Sequence, residues 1–278
     1  MTEITAEQVK SLREQTGVGM MECKAALKES GGDAAGAIKI LRERGMASAG
    51  KRAGRSTKEG VVLACVNGSR GTIVAISCET EPVAGTAEFK NFAGRVLEAV
   101  DRDGPAALAN HEADRVQLVA KIGENIQVKS VERFETSAGH AVAEYLHRPA
   151  NKIGVLVEFS GGPGIEKRPA EFQRISEEIA MQIAATNPLC VDKDGVPADR
   201  VAEEKSILEK QIDPAKPPQI REKIVAGKLN SFYEQVCLLE QPYIREPKKK
   251  IRMLLSELAA SLKEDVKVRR FVRLAVGE

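Results

Sequence analysis

The sequence predicts an α+β fold: a small helical unit followed by a core of strands and helices. Three observations predict it. The first 45 residues carry helical periodicity interrupted by glycines. From Gly60 onward, short β-rich runs alternate with amphipathic helical segments. The strand TIVAIS (72–77) and the later Ala87-Glu88-Phe89 return 83 residues downstream as VLVEFS (155–160) and Ala170-Glu171-Phe172. Equal offsets for a strand and the helix behind it read as a duplicated subdomain. The matches are short, and coincidence between two apolar strands is the competing reading.

The elements follow in order. Thr5 and Gln8 form a capping box before Val9 and Leu12. The turn Thr16-Gly17-Val18-Gly19 breaks that helix. Met20, Cys23 and Leu27 restart it, and Gly31-Gly32 stops it. Asp33 caps a third helix through Ile38 and Leu41 that Gly45 is expected to end. Residues 1–46 therefore read as a three-helix bundle, with a core small enough to suit docking better than catalysis. Residues 47–59 are small, basic and Gly-containing, and read as a linker.

GVVLACV and TIVAISC flank Asn67-Gly68-Ser69-Arg70-Gly71 and read as a hairpin. A helix over about 87–101 places Phe89, Phe92, Val96 and Leu97 on one face, residues 104–125 are helical, and IQVKSVERFE returns to strand. Residues 60–148 thus form one subdomain. Residues 149–198 with 246–278 form its repeat, closed by the strand VRRFVRLAV. Between them, 199–245 holds two charged helices around Asp213-Pro214-Ala215-Lys216-Pro217-Pro218, a break that no helix crosses. This predicts an inserted antiparallel helical hairpin.

Composition narrows the function. The 278 residues carry a net charge of +2, with 42% apolar, 29% charged and 4% aromatic residues and no Trp. A near-neutral balance does not call for nucleic acid, which normally meets a strongly basic domain or stripe. Lys248-Lys249-Lys250 and Arg269-Arg270-Arg273 read as solvated faces, with an RNA contact the alternative. The five cysteines are dispersed without a C-x-x-C pair, which suits a reducing cytoplasm. No run approaches the ~18 apolar residues that span a bilayer, and MTEITAEQVK lacks a signal core. His111, His140 and His147 are scattered, so neither a metal nor another cofactor is expected.

Gly45-Met46-Ala47-Ser48-Ala49-Gly50-Lys51 matches G-x-x-x-x-G-K, yet a helix precedes it, and Arg52 stands where Ser or Thr would hold magnesium. It reads as a basic connector, not as a phosphate loop.

Longer motifs carry a family resemblance. Leu12-Arg13-Glu14-Gln15-Thr16-Gly17 and then Gly19-Met20-Met21-Glu22-Cys23-Lys24-Ala25-Ala26-Leu27 resemble the N-terminal signature of the elongation factor Ts family. Lys121-Ile122-Gly123-Glu124-Asn125-Ile126 and Asn151-Lys152-Ile153-Gly154-Val155-Leu156-Val157 are similar to its central motifs. Lys223-Ile224-Val225-Ala226-Gly227-Lys228-Leu229 and Val236-Cys237-Leu238-Leu239-Glu240-Gln241-Pro242 are similar to its later ones.

The resemblance implies a UBA-like N-terminal bundle, two related core subdomains with antiparallel sheets, and a helical hairpin. It also implies a further C-terminal module in some members, which this chain is expected to lack. The implied activity is guanine-nucleotide exchange on elongation factor Tu, without covalent chemistry. The implied partner-binding residues are Val18, Met20, Met21, Lys51, Ile126 and His147. Met20 and Met21 have a second reading as bundle core. A loop that disturbs the partner's magnesium and phosphate site falls on Thr80, Glu81, Pro82 and Val83. There the family pattern is Thr-Asp-Phe-Val, so Glu81 is one methylene longer and Pro82 lacks the aromatic ring. The hairpin is expected to reach a second domain of the GTPase or a second copy of the chain, giving a homodimer.

Overall fold

The structure, a computed structural model, describes residues 4–213 and 216–278. Residues 1–3 of the bundle and Pro214-Ala215 of the expected helix break lie outside the described residues.

Helix α1 (Ala6–Thr16) opens on the Thr5–Gln8 capping box and closes at Gly17, whose φ of 68° lies in the left-handed region. Helix α2 (Met20–Glu29) follows. Asp33 then accepts hydrogen bonds from the Ala35 and Gly36 amides to start α3 (Ala34–Arg52). Val9, Leu12, Val18, Cys23, Ala26, Leu27, Ala37 and Leu41 bury one another between these helices.

The first repeat contains β1 (Glu59–Asn67), β2 (Arg70–Cys78), the short α4 (Glu81–Gly85), α5 (Ala87–Asp103), a 3₁₀ segment (Pro105–His111), α6 (Glu112–Ile122) and β3 (Gln127–Glu135). Its sheet is antiparallel with β2 in the centre. The second repeat contains β4 (His140–Leu146), which the expected 60–148 boundary assigned to the first but which pairs with β5, together with β5 (Ile153–Ser160), α7 (Pro163–Glu166) and α8 (Ala170–Thr186). The charged pair α9 (Ala198–Lys210) and α10 (Pro218–Val236) comes next, then a small ribbon of β6 (Pro242–Tyr243) and β7 (Glu246–Lys250), α11 (Ile251–Leu262) and β8 (Lys267–Ala275). The second sheet is again antiparallel, with β5 between β4 and β8.

The duplication extends beyond the strands. α5 and α8 start at 87 and 170 and end at 103 and 186, 83 residues apart at both ends. The central strand of each sheet slips register once, between Ala75 and Ile76 in β2 and between Glu158 and Phe159 in β5, again 83 apart. A bulge bends and twists its strand, so each sheet curves at the same point.

The two sheets face each other and the helices cover the outside. Val62, Ile73, Ala75, Phe134, Val142, Leu156 and Val276 pack between the sheets. Val74 and Ile76, on the opposite pleat of β2, pack with Phe89, Phe92, Val96 and Val100 of α5. Val155, Val157 and Phe159 of β5 pack with α8 and α11 through Phe172, Ile175, Ile179, Leu254 and Leu258. Both faces of β2 are therefore buried, which accounts for its unbroken apolar run. The sheets approach closely because Gly71 and Gly154 present no side chain. A Cβ at Gly71 would lie 2.4 Å from Val142 Cγ1, and one at Gly154 would lie 2.6 Å from Val62 Cγ1.

The expected end of the third helix at Gly45 is corrected: α3 continues to Arg52, so the first residues of the expected 47–59 linker are helical. Gly45 and Ala49 are buried on the face turned toward α6, and a Cβ on Gly45 would stand 3.2 Å from Ala120 Cβ. Small residues here bring two helices together; the cost of glycine in a helix, about 1 kcal/mol, is outweighed by that packing. The phosphate-loop look-alike thus lies within α3. On α9 and α10, Leu208 and Val225 are buried between the helices while Ile207 and Ile220 remain exposed. At the base of this pair, Cys190 and Cys237 sit in a parallel β-bridge with their sulfurs 3.7 Å apart.

Candidate functional site

The segment Cys78–Val83 leaves the central strand of the first sheet and turns into α4. Thr80 is the extended N-cap residue, with φ −130° and ψ 150°. Glu81 and Pro82 occupy the first two helical positions and are exposed. Proline suits that place, since an amide there has no partner within the helix. Val83 turns inward and packs on the α5 core. The loop therefore presents Thr80, Glu81 and Pro82 outward and keeps Val83 as its root.

Hydrogen bonds set the loop's shape. The Glu124 carboxylate accepts from the Glu79 amide at 3.1 Å, the Thr80 amide at 3.0 Å and the Thr80 hydroxyl at 2.6 Å. Glu79 Oε1 in turn accepts from the Asn125 amide at 2.7 Å and from Arg55 Nη1 at 3.4 Å. The Cys78 thiol donates to the Thr80 carbonyl at 3.2 Å. Burial pushes that thiol up to about 11, and the nearby Glu124 charge adds to the shift.

The turn carrying His147 lies beside this loop. Asn151 O accepts from the Val62 amide at 2.7 Å. Lys152 Nζ meets Glu59 Oε2 at 2.5 Å, and Glu59 stands opposite Cys78 in the β1–β2 register. The Lys152 ammonium is held above its ordinary range, first by the hydrogen bond to Glu59 and further by the charges of Glu59 and Glu81. His147 is exposed, and its Nδ1 shares a 3.1 Å hydrogen bond with the Tyr145 hydroxyl.

The helical bundle supplies a second exposed group. Met20 and Met21 are 45% and 76% exposed, which removes their reading as core. Lys51 is exposed on the last turn of α3. The turn before Met20 lies against Lys121, whose ammonium pairs at 3.3 Å with Glu88 on the first turn of α5. The bundle is thus fastened to the helix into which the 80–83 loop leads.

Two expected contact residues are corrected. Val18 is 9% exposed and belongs to the bundle core, and Ile126 is fully buried beneath α5 and α6. Both are apolar residues inside family motifs, and the apolar core takes them. The Ile126 side chain is closed to a partner, and Val18 shows only an edge in the groove between the bundle and α6. Glu124 and Asn125, which anchor the loop, stand beside Ile126 in the same motif. No local pattern in the sequence marks this pairing, because their partners lie 44 to 46 residues away.

Among the described residues, no group of three or more His, Cys, Asp or Glu side chains is placed to hold a metal ion. No described helix is long and apolar enough to cross a membrane.

A duplicated α+β core, an appended helical bundle and an outward turn braced by hydrogen bonds define a two-repeat protein whose distinctive features are surfaces. Its relatives narrow this further. A family profile described as Elongation factor TS matches residues 79–278. The chain is 40% identical to Elongation factor Ts of Thioalkalivibrio sulfidiphilus, covering 99% of this chain and 92% of the other. It is 42% identical to that of Symbiobacterium thermophilum, covering 100% and 93%. It is 37% identical to that of Prosthecochloris aestuarii over the whole of both chains. The chain belongs to the elongation factor Ts family.

Proposed function

We propose that this protein is a guanine-nucleotide exchange factor for the cytoplasmic GTPase elongation factor Tu, binding both its GDP-bound and its nucleotide-free forms. Exchange of this kind makes and breaks no covalent bond. The factor holds the nucleotide-free GTPase more tightly than the GDP complex, and linkage requires GDP to weaken the factor by the same ratio. Each tenfold weakening takes about 1.4 kcal/mol of contact that GDP and the factor cannot enjoy together.

Family membership supports this reading, and the braced turn at Thr80–Pro82 carries it. A loop that is to displace a ligand must hold its shape against the partner, and this one is exposed yet hydrogen-bonded on its inner side. Glu81 is the group that approaches the magnesium and phosphate site. A carboxylate there competes with the phosphates for the metal. Met20, Met21 and Lys51 dock on the nucleotide domain, and His147 extends the contact from the second repeat. The exposed Ile207 and Ile220 on the helical pair serve a further domain of the GTPase or a second copy of this chain.

The test is the rate at which a fluorescent GDP analogue leaves elongation factor Tu with and without this protein, with Pro82→Phe in parallel. The helix start accepts phenylalanine, since its amide would face water. Acceleration by the native chain is expected, and a further gain from Pro82→Phe would measure the missing ring. An interfacial aromatic anchor is worth about 2 kcal/mol, roughly thirtyfold in rate. No acceleration by either protein would overturn the reading.

A further inference from the structure

We propose that Glu124 is the positioning residue of the exchange loop, acting with Asn125 to fix the loop's orientation and to tie it to the end of α3. The inference deepens the exchange reading and rests on it.

Beyond Glu124 and Asn125, the loop is held by the Cys78 thiol on Thr80 O and by its own first helical turn. Thr80, Glu81 and Pro82 are exposed, and only Val83 and the buried Ala84 root the short α4 in the core. Glu124 collects three donors from Glu79 and from Thr80, where the turn begins: the amides of Glu79 and Thr80 on Oε2 and the Thr80 hydroxyl on Oε1. The exchange is reciprocal, because the Asn125 amide donates to Glu79 Oε1. Two strand ends 44 to 46 residues apart thus clasp each other, carboxylate to amide in both directions.

The Thr80 hydroxyl shows where the constraint acts. Threonine at an N-cap ordinarily accepts from an amide in the first turn of its helix. Thr80 makes no such cap bond to α4. Its hydroxyl is turned to Glu124 at 2.6 Å, the shortest of the three contacts. The side chain stabilises the loop's direction in place of the helix that follows.

The clasp reaches the bundle as well. Asn125, 1% exposed, donates from Nδ2 to the carbonyl oxygens of Arg55 at 2.9 Å and Ala53 at 3.3 Å. Gln127 Nε2 adds a bond to Ala53 O at 3.0 Å. These carbonyls directly follow α3, whose last turn carries Lys51. One short segment, 124–127, therefore sets the orientation of the exchange loop relative to the docking helix. A factor that docks by one surface and displaces by another needs that angle held.

The experiment compares Glu124→Ala and Glu124→Gln in the full chain. Two quantities are read from GDP-analogue release as the factor is titrated: the maximal rate at saturation and the half-saturating concentration. Amide hydrogen exchange at Glu79 and Thr80 is read in the free protein. Alanine removes all three acceptor contacts. Glutamine keeps one carbonyl oxygen that can take both amides, and its NH₂ can donate to the Thr80 hydroxyl. Glu124→Ala is expected to lower the maximal rate at least about tenfold, since a misplacement of about 1 Å can cost roughly a hundredfold. The half-saturating concentration should move less, and amides 79 and 80 should lose protection while the β2 amides keep theirs. Glu124→Gln should recover most of the rate and the protection. Unchanged protection in Glu124→Ala would overturn the anchor. Lost protection with an undiminished maximal rate would reduce it to a structural contact and overturn the role in exchange. If the native chain itself fails to accelerate release, the exchange reading falls and the positioning role with it, an outcome distinct from a variant that matches an active native protein.

Discussion

Gly154→Ala tests the account of how the two sheets meet. Gly154 lies on β5, the central strand of the second sheet, and faces the first sheet. A methyl group there would come within 2.6 Å of Val62 Cγ1, 2.9 Å of Leu146 Cδ2 and 3.1 Å of Ile73 Cδ1. Val62 and Ile73 are fully buried and β-branched, so they have little rotamer freedom with which to yield. Strand β5 is held by ladders on both sides and cannot slide away.

Two effects of opposite sign compete. Alanine restricts the unfolded chain and would stabilise by about 0.4–1 kcal/mol at a permissive site. Overpacking costs about 1–3 kcal/mol. The clash wins, with a net loss of about 1–2 kcal/mol. At about 2–4 °C per kcal/mol for a chain of this order of size, Tm should fall by about 2–8 °C in a calorimetric scan at pH 7. The double variant Val62→Ala with Gly154→Ala should lose less than the sum of the two single losses, because the second cut makes room for the added methyl. A Tm at or above that of the native protein, or strict additivity, would refute the argument that the glycine is there for contact distance.

Other expectations follow from the same structure. Met20→Ala with Met21→Ala removes exposed side chains, so Tm should stay within about 2 °C, while the concentration of factor needed for half-maximal GDP release should rise roughly tenfold. Glu158 is buried and accepts from His140 Nδ1 at 2.7 Å and Arg270 Nε at 2.5 Å. Burial pushes its carboxyl up, but these partners prevail and hold it below the ordinary value near 4.5. Its contribution to stability is therefore complete above that value and is lost as pH falls through the depressed folded value. Thermal scans from pH 6 to pH 3 should show a shallower acid decline for Glu158→Gln than for the native chain; parallel curves would refute the assignment. Burial also raises the Cys237 thiol to about 12, so at pH 8 its alkylation in the folded protein should be at least tenfold slower than in urea. Mass mapping of the labelled peptides reads this directly.

Much of the fold was legible because its signals are local. The helix expected over 87–101 is found at Ala87–Asp103, since Phe89, Phe92 and Val96 recur at helical spacing and bury together. The repeat was visible as a strand and a helix displaced by the same interval, and the equal displacement of the bulges, which have no sequence signature, completes it. The course of α3 was not legible. Gly45 reads as a stop, and only the nearness of Ala120 explains why a small residue continues the helix. The direction of Val18 and Ile126 was hidden for a related reason. An apolar residue in a motif suits an interface or a core equally, and the choice depends on neighbours far along the chain. At the candidate site, the Thr80-Glu81-Pro82 turn was legible only as a motif. Its anchor was not, because Glu124 and Asn125 act across a separation that periodicity does not sample.

The third strand of the second sheet gives synthesis an order. The first sheet has all its strands once residue 135 has been made. β5 ends at Ser160, but its outer partner β8 begins only at Lys267, 107 residues later, beyond the whole charged helical pair. Until the ribosome has produced residue 275, β5 carries an open edge between two apolar faces, the kind of template on which chains pair wrongly. The first repeat can fold in the meantime and cover one of those faces, leaving α8 to shelter the other. When β8 arrives it completes the ladder, and the Val276 amide fastens to Lys152 O at 2.9 Å. The half made first would thus be present to cover an apolar face of the half made later.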